Sequence, residues 1–401
     1  MMDVSRLCSD LVKIPSENPP GSTEDVILSI EELLDTCGIR STITRRSGGK
    51  CNLVTEPAAT NLLLCGHVDV VPALDDGWSD PPFSGLIRNG AVWGRGSTDM
   101  KGGCAALLTA FLAFFERYGR APAQLAFVCD EETGGECGIR HLIKKRLIAP
   151  CDCLIAEPTP ACHPNIGQKG LVRLALRFSG SPGHGSLYPA VGTSAIAEAL
   201  SFIEYLKRLH GKKFTHDSRL EAILTRSSEV LAEEFDLPQA GEVLSCIMFN
   251  PGVIRGGEKA NIVAQRCDME IEMRIPWGCD IPALLSDLRK KAPHCTIISE
   301  TSHLPSLTPP DSLIATTTCA AIQQVYRKPA FPVVQWAASD ARHLRREGFN
   351  VIEYGPGSLR SLHAIDEHVP IESLEKAAEV YLTVLRMYDP DLASTGSGSM
   401  M

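Results

Sequence analysis

The chain has 401 residues, of which 44% are hydrophobic and 22% charged, and it carries a formal net charge of −9. This length exceeds what one hydrophobic core usually serves, so we expect two domains with the composition of a globular protein. The acidic balance and the lack of an 18-residue apolar stretch argue against nucleic acid and against a membrane as partners.

The N-terminal residues and the cysteines predict a cytoplasmic protein. Residues 1–6 lack the basic start and the apolar core of a secretory signal. The fifteen cysteines are odd in number and lie mostly within apolar segments. This distribution favours small buried thiols in a reducing compartment over a disulfide framework.

The first part of the chain alternates helices and strands in the manner of an α/β domain. Apolar residues at helical spacing predict helices over 3–14 and 23–37, and the hydroxyl of Ser22 or Thr23 is expected to cap the second helix. Apolar runs predict buried strands. The remaining predicted elements of this domain are strands at 39–45, 52–55, 61–65, 125–129, 153–156 and 351–354, a hairpin over 85–94, and helices over 104–115, 312–326 and 372–387.

A histidine and an aspartate follow the apolar strand predicted at 61–65. His67 and Asp69 are two residues apart, so extended backbone directs both side chains to the same face. A carboxylate beside one ring nitrogen of a metal-ligating histidine fixes the tautomer and raises the basicity of the ligand. The same spacing also fits an ordinary hydrogen-bonded pair, and the local pattern leaves both interpretations open.

Acidic side chains stand at the ends of further segments. Asp99 precedes the helix predicted over 104–115, where it would act either as a functional carboxylate or as a helix N-cap. Three consecutive carboxylates, at 130–132, follow the strand at 125–129, and their repulsion requires a cation unless the turn is solvated. Glu157 follows another strand. Because the carboxyl ends of parallel strands meet at one edge of a sheet, these side chains are expected to converge.

From about residue 170 the strands alternate apolar and polar residues, which is typical of a half-exposed sheet. The predicted elements are strands at 171–178, 243–249, 266–275 and 294–300, and helices at 194–209, 216–235 and 281–291. This order predicts an α+β domain over 170–300, inserted into an α/β catalytic domain formed by 1–169 and 301–401. The Ser- and Gly-rich stretch 394–399 predicts a flexible tail.

Two imidazoles and three carboxylates are candidate metal ligands: His67, Asp99, Glu132, Glu157 and His363. This mixture of nitrogen and oxygen donors suits Zn²⁺, with Co²⁺ or Mn²⁺ as alternatives. Five ligands over two ions leave open positions if one carboxylate bridges the ions, and catalysis requires such positions. Glu131, next to a ligand, is a candidate base for the proton of a metal-held water.

The motifs around these residues resemble those of the zinc amidohydrolases that include acetylornithine deacetylase, succinyl-diaminopimelate desuccinylase, aminoacylase and glutamate carboxypeptidase. They are, in chain order, GHVDVVP (66–72), GRGSTDMKGG (94–103), DEETG (130–134), EP (157–158) and HAIDE (363–367). The resemblance covers nearly the whole chain. It implies a zinc-peptidase-like catalytic domain, with a mixed, mostly parallel sheet between helices, and an inserted ferredoxin-like lid or dimerisation domain.

The resemblance also implies a role for each matching residue. His67 and Glu157 would hold one zinc ion, Glu132 and His363 would hold the other, and Asp99 would bridge the two. The protein would therefore carry two divalent metal ions as its cofactors.

The other roles implied by the resemblance concern catalysis and substrate binding. Asp69 would orient its neighbouring histidine, and Glu131 would be the general base. His184 would stabilise the oxyanion, often from the partner subunit of a homodimer formed through the inserted domain. The residues expected to bind the substrate are Asn261, Arg274 and Gly355.

The implied activity is hydrolysis of the amide bond of an N-acyl amino acid, of the acetylornithine deacetylase or succinyl-diaminopimelate desuccinylase type. Glu157, where many relatives have Asp, favours this branch over the aminopeptidases. A dipeptidase or a glutamate-carboxypeptidase-like peptidase with the same site is the alternative activity. A non-catalytic binding relative is disfavoured because no metal or base residue is missing. The chain departs from the family pattern at Leu362 and in a longer segment around 210–245.

Overall fold

The computed structural model describes residues 2–58, 61–74 and 76–393. The chain divides into two compact units. The first is formed by Met1–Ile166, Leu307–Val333 and Ser339–Met401, and the second by Gly167–Ser306 and Val334–Ala338. The predicted tail at 394–399 lies outside the described residues. No described helix is both long enough and apolar enough to cross a membrane.

Within the described residues the chain forms twelve α-helices and sixteen β-strands. The helices are α1 (Val4–Val12), α2 (Glu24–Thr36), α3 (Lys101–Tyr118), α4 (Ile139–Lys144), α5 (Ala195–His210), α6 (Ser218–Phe235), α7 (Ala240–Ser245), α8 (Ile281–Lys291), α9 (Leu313–Tyr326), α10 (Ala341–Arg346), α11 (Ile371–Tyr388) and α12 (Pro390–Ala393). The strands are β1 (Ser41–Arg45), β2 (Cys51–Thr55), β3 (Leu62–His67), β4 (Leu86–Arg88), β5 (Ala91–Trp93), β6 (Gln124–Val128), β7 (Asp152–Ile155), β8 (Asn165–Gln168), β9 (Gly170–Ser179), β10 (Met248–Gly256), β11 (Arg266–Ile275), β12 (Cys295–His303), β13 (Ser306–Leu307), β14 (Val333–Gln335), β15 (Asn350–Glu353) and β16 (His368–Pro370).

Six strands of the first unit lie in one sheet in the order β1-β2-β6-β3-β7-β15, and this sheet continues from β15 to β8. The four strands β6, β3, β7 and β15 are parallel, whereas β1 and β2 pair antiparallel at one edge. Leu64 of β3 lies opposite Leu125 of β6 and Leu154 of β7, and all three side chains are buried. Burial on both faces explains why these strands read as apolar runs, and the α/β fold class is confirmed.

Helix α3 is the central helix of the first unit, where it packs against α1, α11 and β3. Residues 102–112 are buried on every side of the helix, which matches their apolar and small side chains. The helix begins two residues after Asp99. The helix therefore places this carboxylate at the edge where the parallel strands end.

The second unit has a four-stranded antiparallel sheet in the order β10-β11-β9-β12. Helices α5 and α8 share one hydrophobic core with the strands, and this core includes Phe178, Phe202, Met269 and Leu288. The sequence order strand, helix, strand, strand, helix, strand with this spatial order is the ferredoxin-like arrangement, which confirms the predicted α+β fold of this region. Helices α6 and α7 are additional and stand between α5 and β10.

Two local predictions are wrong. The strand predicted at 243–249 is helix α7 followed by the first residues of β10, which continues to Gly256. Pro251 conceals this strand, because proline is tolerated only on edge strands or at bulges, and β10 is an edge strand with a bulge after Pro251. Thr23 does not cap α2, because its hydroxyl exchanges hydrogen bonds with the backbone of Cys51 instead.

Gly103 in α3 provides a test of the packing between this helix and the sheet. A Cβ at Gly103 would overlap the carbonyl oxygen of Ala156. We expect Gly103→Ala to lower the free energy of unfolding by about 1–3 kcal/mol, although alanine is the better helix former. Denaturant unfolding followed by circular dichroism measures the change.

Gly241 is the matched control, because it also lies in a helix but a Cβ there would come no closer than 3.6 Å to a neighbouring atom. Gly241→Ala is expected to leave the free energy of unfolding unchanged or to raise it by up to about 1 kcal/mol. Equal effects of the two substitutions would contradict the tight packing at Ala156.

Candidate active site

The first part of the site is the end of β3, where His67 is the last residue of the strand. Its Nδ1 lies 2.9 Å from the backbone oxygen and 3.5 Å from Oδ1 of Asp69. Asp69 is fully buried, and the backbone N–H groups of Glu131 and Glu132 donate to its two carboxylate oxygens, each over 3.2 Å. Because Nδ1 is engaged in this way, the ring is held in place and Nε2 is available to bind a metal ion.

Asp99 lies between two imidazole rings. Its Oδ1 is 3.0 Å from Nε2 of His67, and its Oδ2 is 3.1 Å from Nε2 of His363. The sequence left open whether Asp99 caps α3, but the N-cap residue of α3 is Met100 and no side chain caps the helix. A carboxylate that faces two imidazoles through its two oxygens has the geometry of a bridge between two cation positions.

Three glutamates complete the cluster. Oε1 of Glu157 is 3.7 Å from Nε2 of His67, and Oε1 of Glu132 is 3.6 Å from Nε2 of His363. The potential ligand atoms form two groups, and within each group all atoms lie within 4.8 Å of one another. One group is His67 with Glu131 and Glu157, and the other is His67 with Asp99 and Glu132. The structure thus brings together every residue that the sequence proposed as a metal ligand or as the base.

Burial and neighbouring groups shift the pKa values of the side chains in the site. Burial raises the pKa of Glu131 and of Glu157 well above the ordinary carboxyl value. Burial acts on Asp99 in the same direction, but hydrogen bonds with the two histidines hold its pKa below the ordinary value. The hydrogen bond with Asp99 is the largest of the effects that raise the pKa of His363 to about 10. Protons compensate the clustered negative charge where cations do not, so cation binding would release protons.

The donor set fits a pair of divalent cations. Imidazole nitrogens and carboxylate oxygens are the donors that Zn²⁺ takes, and Co²⁺ and Mn²⁺ accept them as well. Oε1 of Glu132 is buried and has no hydrogen-bond partner within the described residues. A buried carboxylate oxygen without a partner is costly, and a cation beside His363 would satisfy it.

The sequence predicted no role for two polar residues that lie near the site. Nδ2 of Asn18 donates to Oδ2 of Asp69 over 2.9 Å and to Oγ1 of Thr133 over 3.0 Å. Asp340 is buried without a hydrogen-bond partner for its carboxylate among the described residues, and burial raises its pKa to about 7. Asn18 and Asp69 are 51 positions apart, so no local pattern could have paired them.

The remaining predicted site residues are divided between the two units. In the second unit His184 is exposed, and the backbone N–H that follows it donates to the carbonyl of Asn261 over 2.8 Å, so these two residues share one corner. Arg274 on β11 forms an ion pair of 2.7 Å with Glu272. Gly355 lies in the first unit, where a Cβ would come within 2.8 Å of the carbonyl oxygen of Glu157, so this glycine packs against the end of a site strand.

Comparison with known proteins agrees with this fold. The model of peptidase family M20/M25/M40 matches residues 63–387. A succinyl-diaminopimelate desuccinylase of Methylococcus capsulatus is 29% identical over 344 residues, which cover 82% of this chain and 83% of that protein. The corresponding enzyme of Cereibacter sphaeroides is 28% identical over 411 residues, which cover 96% and 99% of the two chains.

Solved structures share the fold at low sequence identity. An M20 family metallo-carboxypeptidase from Sulfolobus solfataricus has a TM-score of 0.78 at 18% identity and covers 97% of this chain and 99% of its own. A di-peptidase from Saccharomyces cerevisiae has a TM-score of 0.71 at 16% identity and covers 96% of both chains. At these identities the likeness concerns the fold alone.

The fold and the cluster of imidazoles and carboxylates define a hydrolase of the metallopeptidase and amidohydrolase class. Because the family model spans most of its length, the chain belongs to peptidase family M20/M25/M40. The sequence resemblance to the zinc amidohydrolases is thereby confirmed, as is the expectation of an enzyme.

Proposed function

We propose that the protein hydrolyses the amide bond of an N-acyl amino acid, as acetylornithine deacetylases and succinyl-diaminopimelate desuccinylases do. The observation that carries the proposal is the position of Asp99 between His67 and His363, with glutamates beside each imidazole. The relatives named as succinyl-diaminopimelate desuccinylases, which align over most of the chain, support this substrate class.

Two divalent cations are the proposed cofactors, and Zn²⁺ is the preferred ion. His67 and Glu157 would hold one ion, Glu132 and His363 would hold the other, and Asp99 would bridge them. A dinuclear metal-binding peptidase of the same fold from Bacillus subtilis supports the number of ions. Bound there, the ions would polarise the amide carbonyl and make a water molecule more acidic.

Glu131 is the proposed general base. Its carboxylate belongs to the ligand-atom group of His67 and Glu157, but no hydrogen bond or ion pair within the described residues engages it. It would remove a proton from the attacking water and pass that proton to the leaving amine. Asp69, which accepts the backbone N–H groups of Glu131 and Glu132, holds the turn that carries this base.

Residues of the second unit are proposed to recognise the substrate. His184 would donate a hydrogen bond to the oxyanion of the tetrahedral intermediate, and Asn261 and Arg274 would bind the substrate carboxylate. Gly355 of the first unit would offer a backbone contact. In this proposal the first unit performs the chemistry and the second unit, corresponding to the predicted inserted domain, is a lid that also mediates dimerisation.

We further propose a homodimer through the second unit and a cytoplasmic location. Exposed apolar side chains on α5 and beside it, Ile196, Leu200, Tyr188 and Ile262, support an interface there. Three of them line a cavity of about 480 Å³. The fifteen cysteines, all within the described part of the chain, carry free thiols, which supports a reducing compartment.

Replacement of the proposed base tests the mechanism. Glu131→Gln removes the proton acceptor but keeps the size of the side chain, so we expect kcat to fall about 10²- to 10⁴-fold while metal content is unchanged. Steady-state kinetics and metal analysis of the same preparation provide the two readouts. Glu136→Gln is the control, because Glu136 lies on the same loop but is exposed. Near-normal kcat in Glu131→Gln would show that the base is misassigned.

A substrate profile tests the proposed activity against the peptidase alternative. We expect kcat/KM for N-succinyl-diaminopimelate or N-acetylornithine to exceed that for simple dipeptides by at least about a hundredfold, because a site with dedicated polar contacts rejects substrates that leave them unpaired. Initial rates on the three compounds with the same metal-loaded enzyme measure the ratio. A dipeptide as the best substrate would favour the dipeptidase interpretation.

The proposed dimer is tested by a charge in the exposed apolar surface of α5. We expect the wild-type chain to elute as a dimer and Leu200→Glu as a monomer, because the interface would have to bury an unpaired carboxylate. Size-exclusion chromatography with light scattering measures the mass. Leu313→Glu, an equally exposed leucine in the first unit, is expected to stay dimeric. A monomeric wild-type chain would contradict the dimer.

A further inference from the structure

A buried ion pair joins the two loops that carry Asp99 and His363. Arg95 stands four residues before Asp99, and Glu367 stands four residues after His363. Nη1 of Arg95 lies 2.6 Å from Oε2 of Glu367, and the two side chains are 5% and 0% exposed. Both residues belong to motifs that carry the family resemblance, but the proposed mechanism gives neither of them a role.

The second oxygen of Glu367 holds the loop that leads to Asp99. Oε1 accepts hydrogen bonds from the backbone N–H groups of Gly96 at 3.1 Å, Thr98 at 2.9 Å and Asp99 at 3.1 Å. Three backbone donors that converge on one carboxylate oxygen fix the path of the backbone, because each of them would be an unsatisfied buried group without it. The position of the Asp99 backbone therefore depends directly on Glu367.

The second guanidinium nitrogen of Arg95 reaches the other loop. Nη2 donates to the backbone oxygen of His363 over 3.3 Å. His363 has a φ of +58°, a left-handed conformation that residues other than glycine adopt only when their surroundings impose it. The contact with Arg95 is one such constraint, and the guanidinium group itself is held over the ring of Trp78 at 5.2 Å.

Further hydrogen bonds hold the same two loops together. The backbone N–H of Gly94 donates to the backbone oxygen of Glu367 over 2.8 Å, and Oγ1 of Thr98 donates to that of His368 over 2.7 Å. Gly96 has a φ of +87°, and a Cβ there would come within 2.6 Å of a methyl group of Val70. Gly96 therefore serves the tight loop that Glu367 holds.

We propose that Arg95 and Glu367 are positioning residues that hold Asp99 and His363 in register and thereby set the cation affinity of the site. This inference rests on the proposed function, because it assumes that these two residues are metal ligands. Arg95 and Glu367 touch no ligand atom themselves. They act through the backbone of each loop, so that Oδ2 of Asp99 and Nε2 of His363 stay 3.1 Å apart.

Cation binding by the stripped full-length chain tests the proposal without any substrate. Glu367→Gln, Arg95→Met and Arg95→Lys are titrated with Zn²⁺ in competition with a chromophoric chelator, and circular dichroism checks their fold. For Glu367→Gln and Arg95→Met we expect the affinity for the more weakly held ion to fall about 10- to 100-fold. Arg95→Lys keeps the charge but loses the two-armed geometry, so we expect a smaller loss.

Arg120→Met is the matched control, because Arg120 pairs with the buried carboxylate of Asp389 in the same unit. It follows the far end of α3, whose 18 residues separate it from Asp99 by about 27 Å. This variant also breaks an ion pair with a buried carboxylate, but we expect it to bind Zn²⁺ like the wild type. It therefore separates loss of positioning from general loss of stability.

The outcomes test the positioning role separately from the proposed function. A wild-type chain that binds two ions, with the Arg95 and Glu367 variants at unchanged affinity, would overturn the positioning role alone. An equal loss in Arg120→Met would also overturn it, because a general destabilisation would then explain the effect. A wild-type chain that binds no divalent cation would contradict the proposed function itself.

Discussion

The repulsion among carboxylates gathered at one sheet edge is the constraint on which this structure depends. Asp99, Glu132 and Glu157 lie close to the two imidazoles, and Glu131 belongs to the same cluster. Like charges at this spacing are unfavourable at low dielectric, so the arrangement needs either protons or cations to persist. Burial in the first place, and the neighbouring carboxylates in addition, raise the pKa of Glu131 and of Glu157 well above the ordinary carboxyl value. The proposed pair of divalent cations would be attracted by these carboxylates and would remove the repulsion among them.

The fold holds these clustered carboxylates in place by fixing the backbone of the segments that carry them. Asp69 accepts the backbone N–H groups of the turn with two of the glutamates, and Glu367 accepts three from the loop that precedes Asp99. Near Glu157 the backbone is fixed by close packing. Gly103 and Gly355 both lie against the carbonyl of Ala156, where a Cβ would not fit. Contacts of the backbone thus fix the segments that carry the proposed ligands.

The candidate site residues are divided between the two units. All candidate metal ligands and the proposed base lie in the first unit, whose parallel strands end at one edge. His184, Asn261 and Arg274 lie in the second unit, on the sheet and loops of a ferredoxin-like fold. In the proposed function the first unit performs the hydrolysis, and the second unit contributes to the choice of acyl group. The additional helices α6 and α7 fall within the longer segment noted around 210–245, so this departure from the family pattern concerns the second unit.

The sequence by itself determined the fold class, most helices and strands and the candidate ligand set, because periodicity and strand-end residues are local signals. One prediction failed because a side chain has a distant partner: Thr23 binds the backbone of Cys51 instead of capping its helix. Another failed because Pro251 argued against a strand, although the bulge of an edge strand tolerates it. Only the tertiary structure decided that Asp99 faces two imidazoles, that Asn18 holds Asp69, and that Arg95 and Glu367 join two loops. These contacts connect residues 32 to 272 positions apart, and no local pattern encodes which of many polar residues will meet once the chain has folded.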